Sequence, residues 1–121
     1  MADAVTIFHN PNCSTSKYAV GVAEEMGVDV ELVKYLNKSQ QPTREQIAEL
    51  LEKLEDPPTD LVRRDANFTK LGVTDADVET ADQVADLLAQ HPVLMQRPVL
   101  VKGDRAIIGR PKDRVPEFLR G

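Results

Sequence analysis

The sequence is poor in the residue types that mark several specialised protein classes. Its 121 residues include one cysteine, which cannot form an intramolecular disulfide, so we expect a reducing compartment. That cysteine and two distant histidines offer no metal-ligand spacing, and we expect no bound metal. No apolar run approaches the roughly 20 residues that span a bilayer, and the first residues carry neither the basic nor the apolar part of a secretion signal. We therefore predict a cytoplasmic protein without a membrane partner.

The charge balance argues against one more class of partner. The formal net charge is −5 at neutral pH, whereas binding to a phosphate backbone requires a basic surface, so we predict no nucleic-acid partner. With 41% apolar and 29% charged residues, the composition is typical of a globular chain. The length suits one domain over residues 1–121 with its own hydrophobic core.

The one cysteine stands at a junction that favours chemistry. Residues 5–8 form a short apolar run, a turn containing Pro11 follows, and a predicted helix begins at Ser14, directly after Cys13. Unpaired N–H groups and the peptide dipoles stabilise an anion at a helix N-terminus, and a thiolate is such an anion. A free thiol with a pKa near 8.5 is only slightly ionised at neutral pH, but a downward shift of about two units makes most of it thiolate.

A lone cysteine is also often a small buried apolar residue, and this alternative has to be weighed. A core cysteine is expected within an apolar periodic run. Cys13 instead has polar neighbours on both sides and the cationic Lys17 one turn further on. These neighbours favour a reactive Cys13 over a structural one.

Hydrophobic periodicity predicts the order of the elements around this junction. A strand over 5–8 is followed by a helix from Ser14 that is capped by Gly27, and by a second strand over 28–35. A strand-helix-strand unit of this kind pairs its strands in parallel. Residues 99–101 and 106–108 predict a hairpin around a glycine-containing turn. A short final helix over 115–119 is expected to cover the sheet.

The middle of the chain, residues 40–91, is predicted to be a helical insertion between strands. Thr43 with Gln46, and Thr80 with Gln83, have the spacing of capping boxes, and apolar residues at helical spacing follow each pair. We expect about three helices in this region, separated by proline and glycine breaks. His91 is expected at the end of the last one.

Three motifs give the chain a family resemblance. They are the stretches His9 to Lys17, His91 to Val99 and Gly109 to Pro111. Together they resemble the cysteine loop, the segment before the third strand and the corner after the hairpin in the glutaredoxin-coupled arsenate reductases. The resemblance covers nearly the whole chain. It implies an α/β, thioredoxin-like fold with a mixed sheet, in the order β-α-β, helical insertion, β-β-α.

The same resemblance implies a mechanism and its main residues. The Cys13 thiolate attacks arsenate, three arginines hold the oxyanion, and glutathione or another small thiol releases arsenite, followed by a glutaredoxin-like partner. No bound cofactor is implied. Arg97 and Arg110 match two of the three arginines. The third lies at Arg63 or Arg64, and Arg63 is the preferred choice.

Other motif residues are expected to support this site. Folds of the thioredoxin type place a cis-proline opposite the cysteine, which implies that the Arg97–Pro98 bond is cis. His9 is expected either to tune Cys13 and assist proton transfer or to be a turn residue bound by backbone. The remaining loop residues are expected to bind the oxyanion or to hold the loop in shape, and Lys17 stands where the family usually has arginine. They are Asn10, Ser14, Thr15, Ser16 and Lys17.

Two other functions stay open at this point. The related Spx transcriptional regulators share the implied fold and bind RNA polymerase. Many of them carry a Cys-x-x-Cys pair, which Ser16 makes impossible here. The other function is a general glutathione-dependent thiol reductase without arsenic chemistry, because Lys17 and the spacing near Arg63 depart from the family pattern.

Overall fold

The computed structural model describes residues 4–120, which contain a mixed four-stranded sheet. Its strands are β1 (Val5–Phe8), β2 (Val30–Val33), β3 (Val99–Lys102) and β4 (Arg105–Ile108), in the order β2-β1-β3-β4. β1 pairs in parallel with β2 and antiparallel with β3, and β4 lies antiparallel to β3. The predicted parallel pair, hairpin and thioredoxin-like α/β order are confirmed. Residues 1–3 and 121 of the predicted domain lie outside the described part of the chain.

Helices cover both faces of the sheet, because alternate residues of a strand point to opposite faces. α1 (Ser14–Glu25) and α5 (Arg114–Arg120) contribute to one buried cluster, which includes Ile7 and Leu100 of the sheet. α2 (Arg44–Lys53) and α4 (Ala81–Gln90) contribute to a second cluster, with Val99 and Ile108. The sheet is therefore the middle of three layers, and its ends carry the loops that could form a site.

The second strand is shorter than the predicted 28–35. Val28 completes the C-terminus of α1 instead, because its N–H donates to the carbonyl of Ala23 at 3.0 Å. Gly27 adopts φ +70° and its N–H donates to the carbonyl of Glu24 at 3.1 Å. These two bonds form a Schellman motif, which confirms the predicted cap and removes Val28 from the strand. Tyr35 lies beyond the other end of β2, in a turn.

As predicted, helices occupy the region between β2 and β3. Capping boxes at Thr43 and Thr80 begin α2 and α4, and the short helix α3 (Ala66–Lys70) lies between them. His91 ends α4. Single 3-10 turns at 38–40, 58–61, 75–78 and 92–94 were not predicted, because one such turn leaves no hydrophobic period in the sequence.

The C-terminal hairpin is confirmed, and each of its strands extends one residue further into the turn than predicted. Lys102 pairs with Arg105, which leaves only Gly103 and Asp104 in the turn, with Gly103 at φ +59°. α5 extends one residue beyond each end of the predicted 115–119. None of the helices described between residues 4 and 120 is both long and apolar enough to cross a membrane.

Candidate active site

The ends of three strands bring the predicted site residues to one edge of the sheet. The end of β1 lies opposite Val99 at the start of β3, and the end of β4 pairs with the same residue. The loops at these ends carry Cys13, Arg97 and Arg110. As a result, Cys13 and Arg110 are in contact although they are 97 positions apart in the chain.

Cys13 occupies the N-cap position of α1, where its backbone is extended (φ −105°, ψ 122°). Its N–H donates to the carbonyl of Asn10 at 3.0 Å, and its own carbonyl accepts the N–H of Lys17 at 3.0 Å. The side chain is 9% exposed. The thiol therefore lies nearly buried at the first turn of the helix, among the N–H groups that have no helical partner.

The surroundings of Cys13 favour its thiolate. Burial raises the pKa of the thiol, but the backbone N–H groups of Ser16 and Thr15, the Arg97 side chain and the charge of Arg110 together bring the pKa below its ordinary value. Nη2 of Arg110 lies 3.4 Å from Sγ of Cys13. Fixed donors and cations of this kind are what lowers the pKa of a reactive cysteine.

Arg97 and Arg110 are held against each other. Nε of Arg110 donates to the backbone carbonyl of Arg97 at 2.8 Å, and this bond orients its Nη2 toward the sulfur. Nε of Arg97 is buried and has no hydrogen-bond partner among residues 4–120. A buried donor left unpaired costs about 1–3 kcal/mol, and more on a charged group. Such a donor beside a nucleophile is the feature expected of an anion-binding site.

Arg63 reaches the same edge through the segment before β3. Its backbone N–H donates to the carbonyl of Leu94 at 2.7 Å, beside an antiparallel bridge between residues 62 and 95. Its Nε lies 3.3 Å from a carboxylate oxygen of Asp65, the N-cap residue of α3. Its Nη1 is a second buried donor without a partner in the described part of the chain.

Arg64 uses its donors within the protein. Nη1 donates to the carbonyl of Val62 at 2.7 Å, and Nη2 donates to Oγ1 of Thr59 at 2.6 Å. Nε donates to a carboxylate oxygen of Asp75 at 3.3 Å, and the guanidinium lies 5.4 Å from the centroid of the Phe68 ring. Of the two neighbours, Arg63 is the one with an unused buried donor.

A buried network holds the Cys13 loop in shape. Nδ1 of His9 lies 2.7 Å from Oγ of Ser16, which also accepts the backbone N–H of Asn10 at 3.1 Å. Oδ1 of Asn10 accepts the N–H of Asn12 at 2.9 Å, forming an Asx turn. His9, Asn10 and Ser16 are all buried. The same Ser16 that binds His9 through its hydroxyl also lowers the pKa of Cys13 through its N–H.

The remaining predicted loop residues lie nearer the surface. Ser14 and Lys17 are exposed, and Thr15 is half-buried. Burial, followed by the charges of Lys34 and Lys17, lowers the pKa of His9 below its ordinary 6.5. His9 is therefore neutral near pH 7 and acts on the loop as a hydrogen-bonding group.

Tyr35 was not singled out from the sequence, although it lies fully buried near the site. Its hydroxyl donates to the carbonyl of Met95 at 3.3 Å. Burial raises the pKa of the phenol, and the nearby cations Arg97 and Arg63 oppose that rise. One sequence feature could have identified Tyr35 as a site residue: it follows a strand predicted to be parallel to β1. The carboxyl ends of parallel strands share one edge of a sheet.

Two proline bonds flank the arginines. The Arg97–Pro98 bond is cis, as predicted, and the Arg110–Pro111 bond is also cis, which was not predicted. The N–H of Gly109 donates to the carbonyl of Pro98 at 2.8 Å. A Cβ at position 109 would lie 2.7 Å from Cγ of Pro98, so the close approach of these segments requires a glycine.

The fold and the site together define the class of protein. Within residues 4–120 no group of three or more His, Cys, Asp or Glu side chains is placed to hold a metal ion. A cysteine at a helix N-cap, cationic side chains beside it and a mixed sheet describe a thioredoxin-like oxidoreductase with a single thiol. The solved structure of an arsenate reductase from Vibrio cholerae superposes with a TM-score of 0.84 at 29% identity, covering 97% of this chain and 98% of that one.

The chain belongs to the ArsC family, whose model matches residues 8–118. An arsenate reductase of Neisseria meningitidis serogroup A is 31% identical over 117 residues, which are 95% of this chain and 97% of the relative. An arsenate reductase of Escherichia coli K12 is 30% identical over 95% of this chain and 80% of the relative. The family resemblance inferred from the three motifs is confirmed.

Proposed function

We propose that this protein reduces arsenate to arsenite, with Cys13 as nucleophile and Arg63, Arg97 and Arg110 as the oxyanion clamp. The observation that carries the proposal is the 3.4 Å contact between Arg110 and the Cys13 sulfur, with buried, unpaired donors on Arg63 and Arg97. The relatives named arsenate reductases support the choice of oxyanion.

The three arginines of the clamp offset the repulsion between the two reacting anions. Arsenate and a thiolate are both negative, and they repel each other unless fixed cations bring them together. Guanidinium groups give tetrahedral oxyanions paired, charge-assisted hydrogen bonds. Because such donors are oriented before the substrate arrives, they also stabilise the charge that develops as the thiolate attacks.

The reaction balances with thiols as the reductant. The Cys13 thiolate attacks arsenic, an As–S bond forms, and one oxygen takes up protons and leaves as water. An external thiol then forms a disulfide with the Cys13 sulfur. The electron pair of the As–S bond stays on arsenic, which passes from As(V) to As(III) and leaves as arsenite. A further thiol reduces the mixed disulfide and restores Cys13.

The external thiol belongs to the proposal because the chain has no second cysteine to resolve Cys13. We assign this role to glutathione or another low-molecular-weight thiol, and the last step to a glutaredoxin-like protein. A reaction that consumes reduced thiols is suited to the cytoplasm, where such thiols are kept reduced.

We assign supporting roles to the remaining loop residues. His9, Asn10 and Ser16 hold the loop through their buried hydrogen bonds, and the backbone N–H groups near Cys13 face the anion. Ser14, Thr15 and Lys17 lie on the first turn of α1, and Pro98 lies at the start of β3. We also treat residues 1–121 as one domain with 40–91 as its insertion, because α2 and α4 pack on the same sheet as α1.

The test begins with the pH dependence of Cys13 alkylation by iodoacetamide, with and without arsenate, phosphate or sulfate. We expect alkylation to persist below the pH at which a free thiol stops reacting, and the oxyanions to slow it. Purified protein with glutathione and glutaredoxin should then show arsenate-dependent thiol oxidation, and Cys13→Ser should show none while keeping its unfolding transition.

An unshifted and unprotected thiol would contradict the proposal and favour an Spx-like binding protein. In that case a stoichiometric complex with RNA polymerase would be the next observation to seek. Oxyanion protection without arsenate-dependent turnover would favour a general thiol reductase.

A further inference from the structure

We propose that the cavity on the outer side of Arg110 binds the external thiol as a zwitterionic, peptide-like molecule that carries an amine and carboxylates. This inference rests on the proposed function, because it assigns a binding site to the thiol that the reaction consumes. The cavity has a volume of about 380 Å³. Its polar lining consists of Asp56, Asp60, Arg64, Gln96, Arg110 and Arg114.

Arg110 connects this cavity to the nucleophile. Arg110 lines the cavity, and its Nη2 lies 3.4 Å from the Cys13 sulfur. Gln96 lines the same space and directly precedes Arg97, the other arginine that acts on Cys13. A molecule in the cavity therefore lies one side chain away from the arsenic–sulfur bond that its thiol has to reach.

The charges of the lining suit a thiol that carries both signs of charge. Three arginines and two aspartates leave one unit of positive charge. Arg114 and Asp56 neutralise each other, with Nη1 and Oδ1 2.9 Å apart. Arg64 is paired with Asp75, which lies outside the lining, with Nε and Oδ1 3.3 Å apart. Arg110 has no carboxylate partner among residues 4–120, so it can face a carboxylate of the ligand. A peptide-like thiol complements this arrangement when one of its carboxylates faces Arg110 and its ammonium group faces an unpaired acid of the lining.

Asp60 is the group that can receive the ammonium. It lies in the 3-10 turn at 58–61, and its side chain is exposed. Its carboxylate makes no hydrogen bond or ion pair with any residue between 4 and 120, in contrast to that of Asp56. An unpaired carboxylate at the rim of the cavity, opposite in charge to Arg110, gives a zwitterion a fixed orientation, with a carboxylate toward Arg110.

The step that this site serves is the release of arsenite. The thiolate sulfur of the bound molecule forms a disulfide with Sγ of Cys13, and the electron pair of the As–S bond stays on arsenic. A small neutral thiol such as 2-mercaptoethanol can perform the same exchange without using the charges of the cavity. The two thiols should therefore respond differently to a change at Asp60.

The first measurement is binding, without arsenate and without turnover. S-methylglutathione, which cannot react, is titrated into the full chain and followed by amide chemical shifts. We expect shifts at residues 60 and 96, and we expect Asp60→Asn to weaken binding by roughly threefold to tenfold, as for the loss of one exposed charge-assisted contact. Asp104→Asn, an exposed acid in the hairpin turn, is the matched control and should bind as the wild type does.

The second measurement is kinetic and uses two thiols. Asp60→Asn should raise KM for glutathione by a similar factor, and leave KM for 2-mercaptoethanol, KM for arsenate and the pH profile of Cys13 alkylation unchanged. Equal KM values for glutathione in wild type and variant, shifts that avoid residues 60 and 96, or an effect confined to the glutaredoxin step would overturn the inference. Binding at residues 60 and 96 without arsenate turnover would support this thiol site and contradict the proposed function.

Discussion

The arginines at the Cys13 edge differ from those along the outer edge of β4 in what they bind. Along β4, Arg105 pairs with Glu55, with Nε and Oε2 2.7 Å apart, and Arg114 pairs with Asp56. At the Cys13 edge, Arg63 pairs with Asp65, whereas Arg97 and Arg110 have no carboxylate partner among residues 4–120. Arg63 and Arg97 keep buried donors that no described residue uses.

This contrast separates structural charges from the charges that we propose to be functional. Where each cation is paired with a carboxylate, the pair holds two segments together and leaves no uncompensated charge to bind a ligand. Where partly buried cations outnumber carboxylates, the cost of their buried, unpaired donors is offset when an anion binds. The sulfur of Cys13 is one such anion, and an oxyanion substrate is the second.

The largest expected effect comes from removing a cation at the Cys13 edge. Arg97→Ala should raise the pKa of Cys13 and lower kcat/KM for arsenate about a hundredfold, as for the loss of one oxyanion donor. Ultraviolet absorbance of the thiolate against pH measures the pKa. Arg105→Ala, which removes a paired arginine along β4, is the control and should leave that titration unchanged. Identical titrations for Arg97→Ala and wild type would remove Arg97 from the site.

The second test compares two neighbours in the chain. Arg63→Ala should lower kcat/KM for arsenate roughly tenfold to a hundredfold, because it deletes an unused donor at the site. Arg64→Ala should leave arsenate kinetics unchanged and lower the free energy of unfolding by about 1 kcal/mol, since its donors serve the fold. Steady-state kinetics and urea unfolding of both variants measure these effects on activity and on stability. The reverse pattern would make Arg64 the third clamp residue.

The third test addresses the paired region. Asp56 accepts the backbone N–H of Ile108 at 3.0 Å and pairs with Arg114, so it ties the 54–56 segment to the edge of β4. Asp56→Asn should lower the free energy of unfolding by about 2 kcal/mol. The pH profile of Cys13 alkylation should stay as in the wild type. A shifted profile would mean that the two regions are electrostatically coupled.

The smallest effect concerns pH and His9. Its pKa is lower in the folded protein than the ordinary 6.5, so below that pH the unfolded chain binds more protons. Stability should therefore fall as the pH drops from 6.5 through the folded pKa, and His9→Asn should flatten that part of the curve. Thermal unfolding between pH 7 and pH 5 measures it. An equal slope in both proteins would contradict a pKa of His9 lowered by burial and by the charges of Lys34 and Lys17.

Much of the fold followed from local patterns. The capping boxes at Thr43 and Thr80, the cap at Gly27 and the hairpin around Gly103 are short-range features, so hydrophobic period and turn chemistry identified them. The errors also have local causes. Val28 alternates like a strand residue, but its N–H completes the end of α1, and a competition between two backbone partners is not visible in a hydrophobic pattern.

The sequence likewise identified some residues of the candidate site and not others. A lone cysteine at a predicted helix start pointed to Cys13, and the motif resemblance pointed to Arg97 and Arg110. The motif resemblance favoured Arg63 but left Arg64 open, because adjacent residues have nearly the same composition around them. Their contacts differ because the segment before β3 binds the backbone of Arg63, which turns the two side chains in different directions.

The sequence by itself determined that a single thiol begins a helix and that two arginines precede prolines, since both are properties of neighbouring residues. Only the tertiary structure decided which cations meet the sulfur. The tertiary structure also identified Tyr35, by its buried hydrogen bond to Met95, and Asp60, by a carboxylate without a partner among residues 4–120. Strand pairing across the sheet places residues from four distant segments at one edge, and the energy of each charge depends on which partners that packing leaves within reach.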